Sequence, residues 1–264
     1  MNILIFDTET IGVEKCYCYN LGYRIINLDT KTILCEKDFV IKQVWENKML
    51  FETAYYADKK PLYVSALRGR NSRIINYGYA MREMIKDITT FGVANAFAYN
   101  SNFDTKVFDF NCDWYKCSNA LDYVRVYDIW GFTSELITSG KAQVYIDFCV
   151  ANGFISEANN IKNNADTWGK FLLGLDFEEK HTALADSQIE CDILLYCLQF
   201  LPIADYKVCK CIGAPTQAKK TLSIIDSETG EVLFECDYTN KTDKKTKGEL
   251  WLSGARVKVA SMGI

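Results

Sequence analysis

The sequence predicts one mixed α/β sheet flanked by helices, followed by a small β-rich extension. Three strand patterns open the chain, and the links between them are short, which indicates an antiparallel meander. Strand and helix patterns then alternate up to about residue 200, as in sheets that are covered by helices. After Pro202 the pattern changes to hairpins. We therefore divide the chain into a domain at 1–203 and an extension at 204–264.

The elements of the predicted domain follow in chain order. Residues 2–10, 17–28 and 32–42 are rich in apolar, β-branched and aromatic residues and form the meander. The stretch 43–75 is irregular and aromatic, and no element is assigned to it. Apolar spacing then predicts further elements. They are a helix over 76–89, a strand at 96–99, a helix from Asn102, a strand at 123–129 and helices over 164–173 and 182–200.

The extension carries hairpin patterns. Residues 221–238 alternate around a Glu-Thr-Gly turn, which predicts two paired strands, and 249–262 predicts one or two more. The extension is net positive, although the whole chain carries −4 at pH 7. That asymmetry favours a small basic appendage.

Composition indicates a globular chain, because 49% of its 264 residues are hydrophobic and 24% are charged. The opening apolar run is interrupted at Asp7, before a signal peptide could form, and no apolar run has membrane-spanning length. The eleven cysteines are scattered and odd in number. We therefore expect a cytoplasmic protein with reduced thiols and no membrane partner.

Two cysteine pairs stand close together, Cys16 with Cys18 and Cys209 with Cys211. One residue separates the members of each pair, whereas structural zinc sites usually separate paired cysteines by about two to four residues. Free thiols are therefore favoured, and a shared zinc site stays the alternative.

The first candidate site residues are Asp7 and Glu9, at the end of the opening apolar run. Residues two apart on a strand point to the same side of a sheet, so these carboxylates lie side by side. Like charges in that arrangement repel one another unless something offsets them. The pair therefore predicts a nearby cation.

Asp104 and Asp186 are predicted to point inward from two helices. Asn102 fits an N-cap, which puts Asp104 in the first turn, on the apolar face of Val107 and Phe108. A favourable interaction with the helix dipole is the simpler explanation of that acid. At about 100° per residue, Asp186 falls within an otherwise apolar stripe. An inward acid needs a partner.

The second of these helices carries two further acids, Glu190 and Asp192. Both are more lateral on the helix, and we expect them to be solvated. His181, the only histidine in the chain, precedes the helix in a loop or cap. A lone histidine is often structural, but its place beside an inward acid favours a functional role.

Four inward carboxylates without matching lysines or arginines predict a site for hard divalent cations. Oxygen ligands suit Mg²⁺ or Mn²⁺ better than zinc. Two such ions a few ångströms apart serve phosphodiester cleavage, in which one activates water and the other stabilises the leaving oxygen.

The segments FDTET, NSNFD and HTALAD, in this order, resemble the three motifs of DEDDh exonucleases, the DnaQ-like family. The resemblance covers about residues 1–200. It implies a ribonuclease H-like fold, with a mixed five-stranded sheet flanked by helices. It also implies 3′-to-5′ hydrolysis at the 3′ ends of single-stranded DNA or RNA.

The resemblance further implies roles for the motif residues. Asp7 would contact both metal ions, and Glu9 with Asp186 would hold the ion that activates water. Asp104 would help to hold the second ion, mostly through water. His181 would be the general base that deprotonates the attacking water.

Substrate contacts are expected next to these motifs and in the irregular stretch. Thr8, Thr10 and Asn102 are candidates to contact the terminal nucleotide. Phe103 is a candidate to stack on a base, with core packing as the alternative. Three further candidates are the clustered arginines Arg68, Arg70 and Arg73, which could contact a phosphate backbone or belong to a solvated loop.

Two other functions stay open at this point. A catalytically silent nucleic-acid-binding module would be expected to lack one of the motif residues, and none is missing. A proofreading subunit would act with a DNA polymerase or another replication partner. The choice between DNA and RNA depends on the geometry of the pocket, because 2′-hydroxyl contacts decide it.

Overall fold

A computed structural model describes residues 1–215 and the backbone of 220–225, 232–238, 250–252 and 255–257. The chain divides into two compact units, Met1–Gly213 and Ala214–Ile264. In the part of the chain that the structure describes, no helix is long and apolar enough to cross a membrane.

One mixed sheet organises the first unit. Its strands are β1 (Asn2–Thr10), β2 (Cys18–Asn27), β3 (Thr32–Ile41), β4 (Arg73–Ile75), β5 (Asn95–Ala98) and β6 (Arg125–Asp128). Their order across the sheet is β4-β3-β2-β1-β5-β6. The predicted meander is confirmed, because β2 pairs antiparallel with both β1 and β3. Strand β5 is parallel to β1, and β6 is parallel to β5. The mixed α/β class is therefore confirmed.

The sheet has one strand more than predicted, because β4 pairs parallel with β3 inside the stretch that was left unassigned. The same stretch also forms α1 (Lys42–Trp45), α2 (Lys48–Phe51) and α3 (Lys60–Arg68). Each of the three helices contributes one buried residue to a shared apolar cluster, namely Val44, Phe51 and Tyr63, and a single buried position leaves no periodicity in the sequence.

Helices cover both faces of the sheet. They are α4 (Tyr77–Thr90), α5 (Ser101–Tyr115), α6 (Ile129–Thr138), α7 (Gln143–Ala151), α8 (Ala165–Leu173) and α9 (Ala183–Cys197). Helices α4 and α5 pack on the face that carries Leu4 and Phe6, and α9 packs against β1 and β2. The predicted helices correspond to α4, α5, α8 and α9, whereas α6 and α7 were not predicted.

Residues 204–213 belong to the first unit, not to the extension. The ring of Tyr206 packs edge-on against Phe132, with ring centroids 4.9 Å apart. The backbone N–H of Cys209 donates to the hydroxyl of Ser134 at 3.1 Å. These contacts fix the segment to α6, and the compact unit extends to Gly213, ten residues beyond the boundary predicted at 203.

The second unit contains two pairs of antiparallel strands. Strand β7 (Lys220–Ile225) pairs with β8 (Val232–Tyr238), and β9 (Leu250–Leu252) pairs with β10 (Ala255–Val257). The predicted strands are therefore present, while the turn expected at Glu228 lies outside the described residues. That this unit is an independent domain stays a prediction.

Candidate active site

The first two acids lie at the end of β1, beside the start of α9. Asp7 is paired across the ladder with Gly22 of β2. The backbone of Leu184 lies so close to Gly22 that a Cβ at this position would clash with it. Glycine therefore lets the first turn of α9 approach the sheet next to Asp7, and Asp186 lies in that turn.

Asp104 reaches the same place from the first turn of α5, and the turn before this helix holds it there. Asn100, with φ of 61°, holds the N-cap position that was predicted for Asn102, and Asn102 is an exposed residue of the first turn. The Asn100 backbone N–H donates to Asp128 at 3.0 Å, which ties the turn to the end of β6. Asp104 is 2% exposed and accepts a 2.6 Å hydrogen bond from the Thr8 hydroxyl.

Glu9, Asp186 and His181 converge most closely. One ligand atom of each lies within 4.8 Å of the other two. Asp186 is 6% exposed, so the inward orientation predicted for it is confirmed, as it is for Asp104. A side-chain hydrogen bond between the carboxyl groups of Glu9 and Asp186 lowers the pKa of Glu9 and raises that of Asp186.

Burial and mutual repulsion disfavour the ionised acids. Burial raises the pKa of Asp7 well above its usual range, and the charge of Asp104 raises it further. Burial also raises the pKa of Asp104 to about 7, against the lowering effect of the Thr8 hydroxyl. For Glu9 and Asp186 the direction is the same, and burial is again the main cause.

The donor set fits hard divalent cations. No lysine or arginine is among the groups that shift these carboxyl pKa values most. Buried carboxylates that lack basic partners need a proton or a metal ion to offset their charge. Carboxylate oxygens are the ligands that Mg²⁺ and Mn²⁺ prefer.

Two tyrosines from the 43–75 stretch hold His181 in place. The ring of Tyr56 stacks on the imidazole, with centroids 4.0 Å apart and planes 9° apart. The Tyr63 hydroxyl donates to the His181 carbonyl at 3.1 Å. Neither tyrosine could be predicted from the sequence, because a contact between segments more than a hundred residues apart leaves no local pattern. Burial, together with the charge of Lys59, lowers the pKa of His181.

The position of Glu190 differs from the one predicted from the sequence. It was expected to be solvated, but it is 3% exposed and its Oε2 has no hydrogen-bond partner. The helix that carries it, α9, packs against β1 and β2 and also against α6 and α8, so its buried face is wider than one stripe. Asp192, two residues later, is partly exposed and accepts hydrogen bonds from the Gln188 amide.

A cavity of about 360 Å³ opens beside Glu9. Of the predicted substrate contacts, Thr8, Thr10 and Phe103 line it, whereas Asn102 does not. The hydroxyl of Thr8 donates a hydrogen bond to Asp104, and that of Thr10 donates to the Gly12 carbonyl at 3.0 Å. Tyr55 and Tyr56 line the same cavity and were not predicted.

The arginines are not brought to this cavity. Arg68 and Arg70 are exposed at the end of α3 and just beyond it, and Arg68 lines a different depression. Arg73 pairs with Glu83 at 3.4 Å. A role of Arg68 and Arg70 in substrate binding stays a prediction.

The close cysteine pairs form no metal cluster within the described residues, where Glu9, His181 and Asp186 make up the group with ligand spacing. Cys16 and Cys18 are buried, Cys209 is half-buried and Cys211 is exposed. None of the four forms a disulfide bond within the part of the chain that the structure describes.

No protein-family model matches the sequence, and no curated protein matches it. Solved structures do resemble the fold. One is described as "3'-end specific recognition of histone mRNA stem-loop by 3'-exonuclease", with a TM-score of 0.52, 10% identity and 91% of each chain covered. A full-length 3′-exonuclease gives a TM-score of 0.48 at 12% identity, over 75% of this chain and 60% of that one. The present chain thus spans less than two thirds of that protein.

A third structure is the nuclease domain of a DEDDh family member bound to rAMP, with a TM-score of 0.46 at 12% identity, over 78% of this chain and 97% of that one. Sequence identities of 10% to 12% support a likeness of fold alone. The first of these likenesses, with a TM-score of 0.52, extends over 91% of both chains. The chain therefore has the mixed α/β fold of that 3′-exonuclease.

Proposed function

We propose that this chain is a metal-dependent 3′-to-5′ exonuclease that acts on the 3′ ends of single-stranded DNA or RNA. The observation that carries the proposal is the convergence of Asp7, Glu9, Asp104 and Asp186 with the one histidine, His181, beside an open cavity. Such a set has the ligands for divalent cations and a group that can accept a proton.

The proposed chemistry divides between the acids and the histidine. When bound, two divalent cations supply a polarised water and a charge that stabilises the leaving oxygen. Asp7, Glu9 and Asp186 would bind the cations. Asp104, which accepts a hydrogen bond from the Thr8 hydroxyl, would help to hold the second cation. His181, whose lowered pKa keeps it neutral, takes the proton from the attacking water.

The proposed substrate pocket is the cavity beside Glu9. Phe103, Tyr55 and Tyr56 offer aromatic faces there, and a base can stack on such faces whatever its identity. The similar 3′-exonuclease is described as recognising an RNA 3′ end, which supports a 3′ terminus as the substrate here. A cytoplasmic location and a polymerase partner remain hypotheses.

Matched DNA and RNA oligomers, labelled at the 5′ end, test the function. With Mg²⁺ or Mn²⁺ we expect a ladder of products that shortens from the 3′ end, and with EDTA we expect none, because the carboxylates need a cation to act. The same oligomers with a blocked 3′ end are the control. Internal cleavage, shortening from the 5′ end or intact oligomers with both metals would contradict the proposal.

The second unit is proposed to aid binding and to carry no chemistry. Because the compact first unit ends at Gly213, truncation after this residue should preserve turnover on short oligomers. Affinity for long oligomers should fall, and the loss should be larger at low salt, where phosphate contacts by the lysines and arginines of the removed segment count most. A truncated protein that is folded but inactive on every length would place the second unit in the active site.

A further inference from the structure

Glu190 is a buried acid with an unsatisfied oxygen. It lies one helical turn after Asp186 on α9, so the two side chains share a helix face. Its side chain is 3% exposed, and Oε2 has no hydrogen-bond partner. A carboxylate in this position is strongly disfavoured unless a cation or a proton offsets it.

The groups around Glu190 are other acids. Burial raises the pKa of Glu190 well above its usual range, the charge of Asp104 raises it further, and a backbone hydrogen bond from Tyr99 opposes the shift. After burial and the charge of Asp104, the charge of Glu190 also raises the pKa of Asp7. Tyr99 itself directly precedes Asn100, the N-cap of α5, and the first turn of α5 carries Asp104. Glu190 therefore belongs to the Asp7 and Asp104 side of the site.

The two sides of the site differ in how closely their ligand atoms approach one another. Glu9, His181 and Asp186 have ligand atoms within 4.8 Å of one another, whereas the oxygens of Asp7, Asp104 and Glu190 are not drawn together so closely. Mg²⁺ usually keeps several of its waters, and such waters can span wider gaps between carboxylates. A buried oxygen without a partner is a suitable acceptor for one of them.

We propose that Glu190 is a fifth carboxylate of the metal site and that it helps to hold a divalent cation on the Asp7 and Asp104 side, through cation-bound water. The inference rests on the proposed metal-dependent function and adds a residue to it. It assigns a role to an acid outside the three motifs. The competing explanation is a buried, protonated acid that only packs.

Isothermal titration calorimetry, with Mn²⁺ titrated into the full-length protein, tests the role of Glu190 in metal binding. Glu190→Gln keeps the size and removes the charge, and we expect a loss in affinity of about 10- to 100-fold for one Mn²⁺, the range found for groups that support a metal site from outside its direct ligands. Asp192→Asn is the matched control, since it removes a charge from the same helix away from the cluster. We expect wild-type affinity for it.

Thermal unfolding gives a second measurement. Mn²⁺ should raise the unfolding midpoint of Glu190→Gln less than that of the wild type, because a weaker ligand stabilises less at the same concentration. Should Glu190→Gln fail to fold, Glu190→Met fills a similar volume and carries the same expectation. Wild-type Mn²⁺ affinity in either folded variant would overturn the role of Glu190 alone. A wild-type protein that binds no Mn²⁺ would overturn this inference and the proposed function together.

Discussion

Replacing Asp7, Asp104 or Asp186 by Asn, one at a time, is expected to abolish oligomer cleavage and to leave a folded protein. Each change removes a carboxylate from the proposed metal site, which would need all of them to bind and align two divalent cations. Asn preserves the size of the side chain and one oxygen, so the packing around it persists. Cleavage of the end-labelled oligomers and the unfolding midpoint are measured for each variant.

Asp113→Asn is the matched control for this series. Asp113 lies on α5 like Asp104, but it is exposed and pairs with Lys116 at 2.7 Å. Its removal should leave cleavage unchanged. Turnover close to that of the wild type in any one of the three site variants would contradict the assignment of two cations to these carboxylates.

The pH dependence of stability follows from the same acids. Burial raises the pKa of Asp104 from 3.8 to about 7. A group with a raised pKa in the folded state contributes stability below its unfolded pKa, and this contribution is lost as pH rises through the folded value. In EDTA, the wild type should therefore lose stability between about pH 4 and pH 7.

Asp104→Asn should reduce that loss. The variant cannot ionise at this position, so in EDTA its unfolding midpoint at pH 8 should lie above that of the wild type. Added Mn²⁺ should reverse the order, because it stabilises the intact site. A midpoint for the variant that falls below the wild type in EDTA would contradict the repulsion inferred among the acids.

Local patterns predicted much of the fold and of the site. The spacing of Asp7 and Glu9 on a strand, and the place of Asp186 on an apolar stripe, required only the geometry of one element. Strand β4 could not be predicted in this way, because three residues become a strand only through pairing with β3. Helix α6 was missed because polar Thr133 and Ser134 are buried along with its apolar residues.

Two site residues were not predicted for the same reason, because only tertiary contacts bring them into the site. Tyr56 holds His181 across a long stretch of chain, and only the folded structure brings the two rings together. Glu190 was assigned to solvent because a helical wheel with one buried stripe describes a surface helix. Helix α9 is packed against the sheet and two further helices, so an acid to the side of the stripe is buried as well.

His181→Ala is expected to lower turnover by about 10²- to 10⁴-fold, the usual contribution of a general base. The imidazole lies beside Glu9 and Asp186, where a proton acceptor can reach a water held between the carboxylates. Metal binding should change little, because all the carboxylates remain. Single-turnover cleavage and Mn²⁺ calorimetry on the same preparation separate the two effects.

The pH profile of turnover gives an independent measure. Burial and the charge of Lys59 lower the pKa of His181, and bound cations would lower it further. The neutral imidazole is the working base, so turnover should fall as pH drops through this pKa. The midpoint of the acid limb should therefore lie below about 6.5, the value of an unperturbed histidine. An acid limb above that value would contradict the role of His181 as the base.

The same closeness also permits His181 to be a metal ligand, and the backbone supplies the decisive variant. His181 has φ of 53°, a conformation that Asn tolerates well, so His181→Asn keeps the loop and replaces the imidazole with an amide. An amide oxygen can bind a cation but cannot act as a base at neutral pH. If His181 is the base, Ala and Asn variants should be equally slow and bind Mn²⁺ as the wild type does. Weak Mn²⁺ binding in His181→Ala that His181→Asn restores would identify a ligand, and the base would then have to be another group.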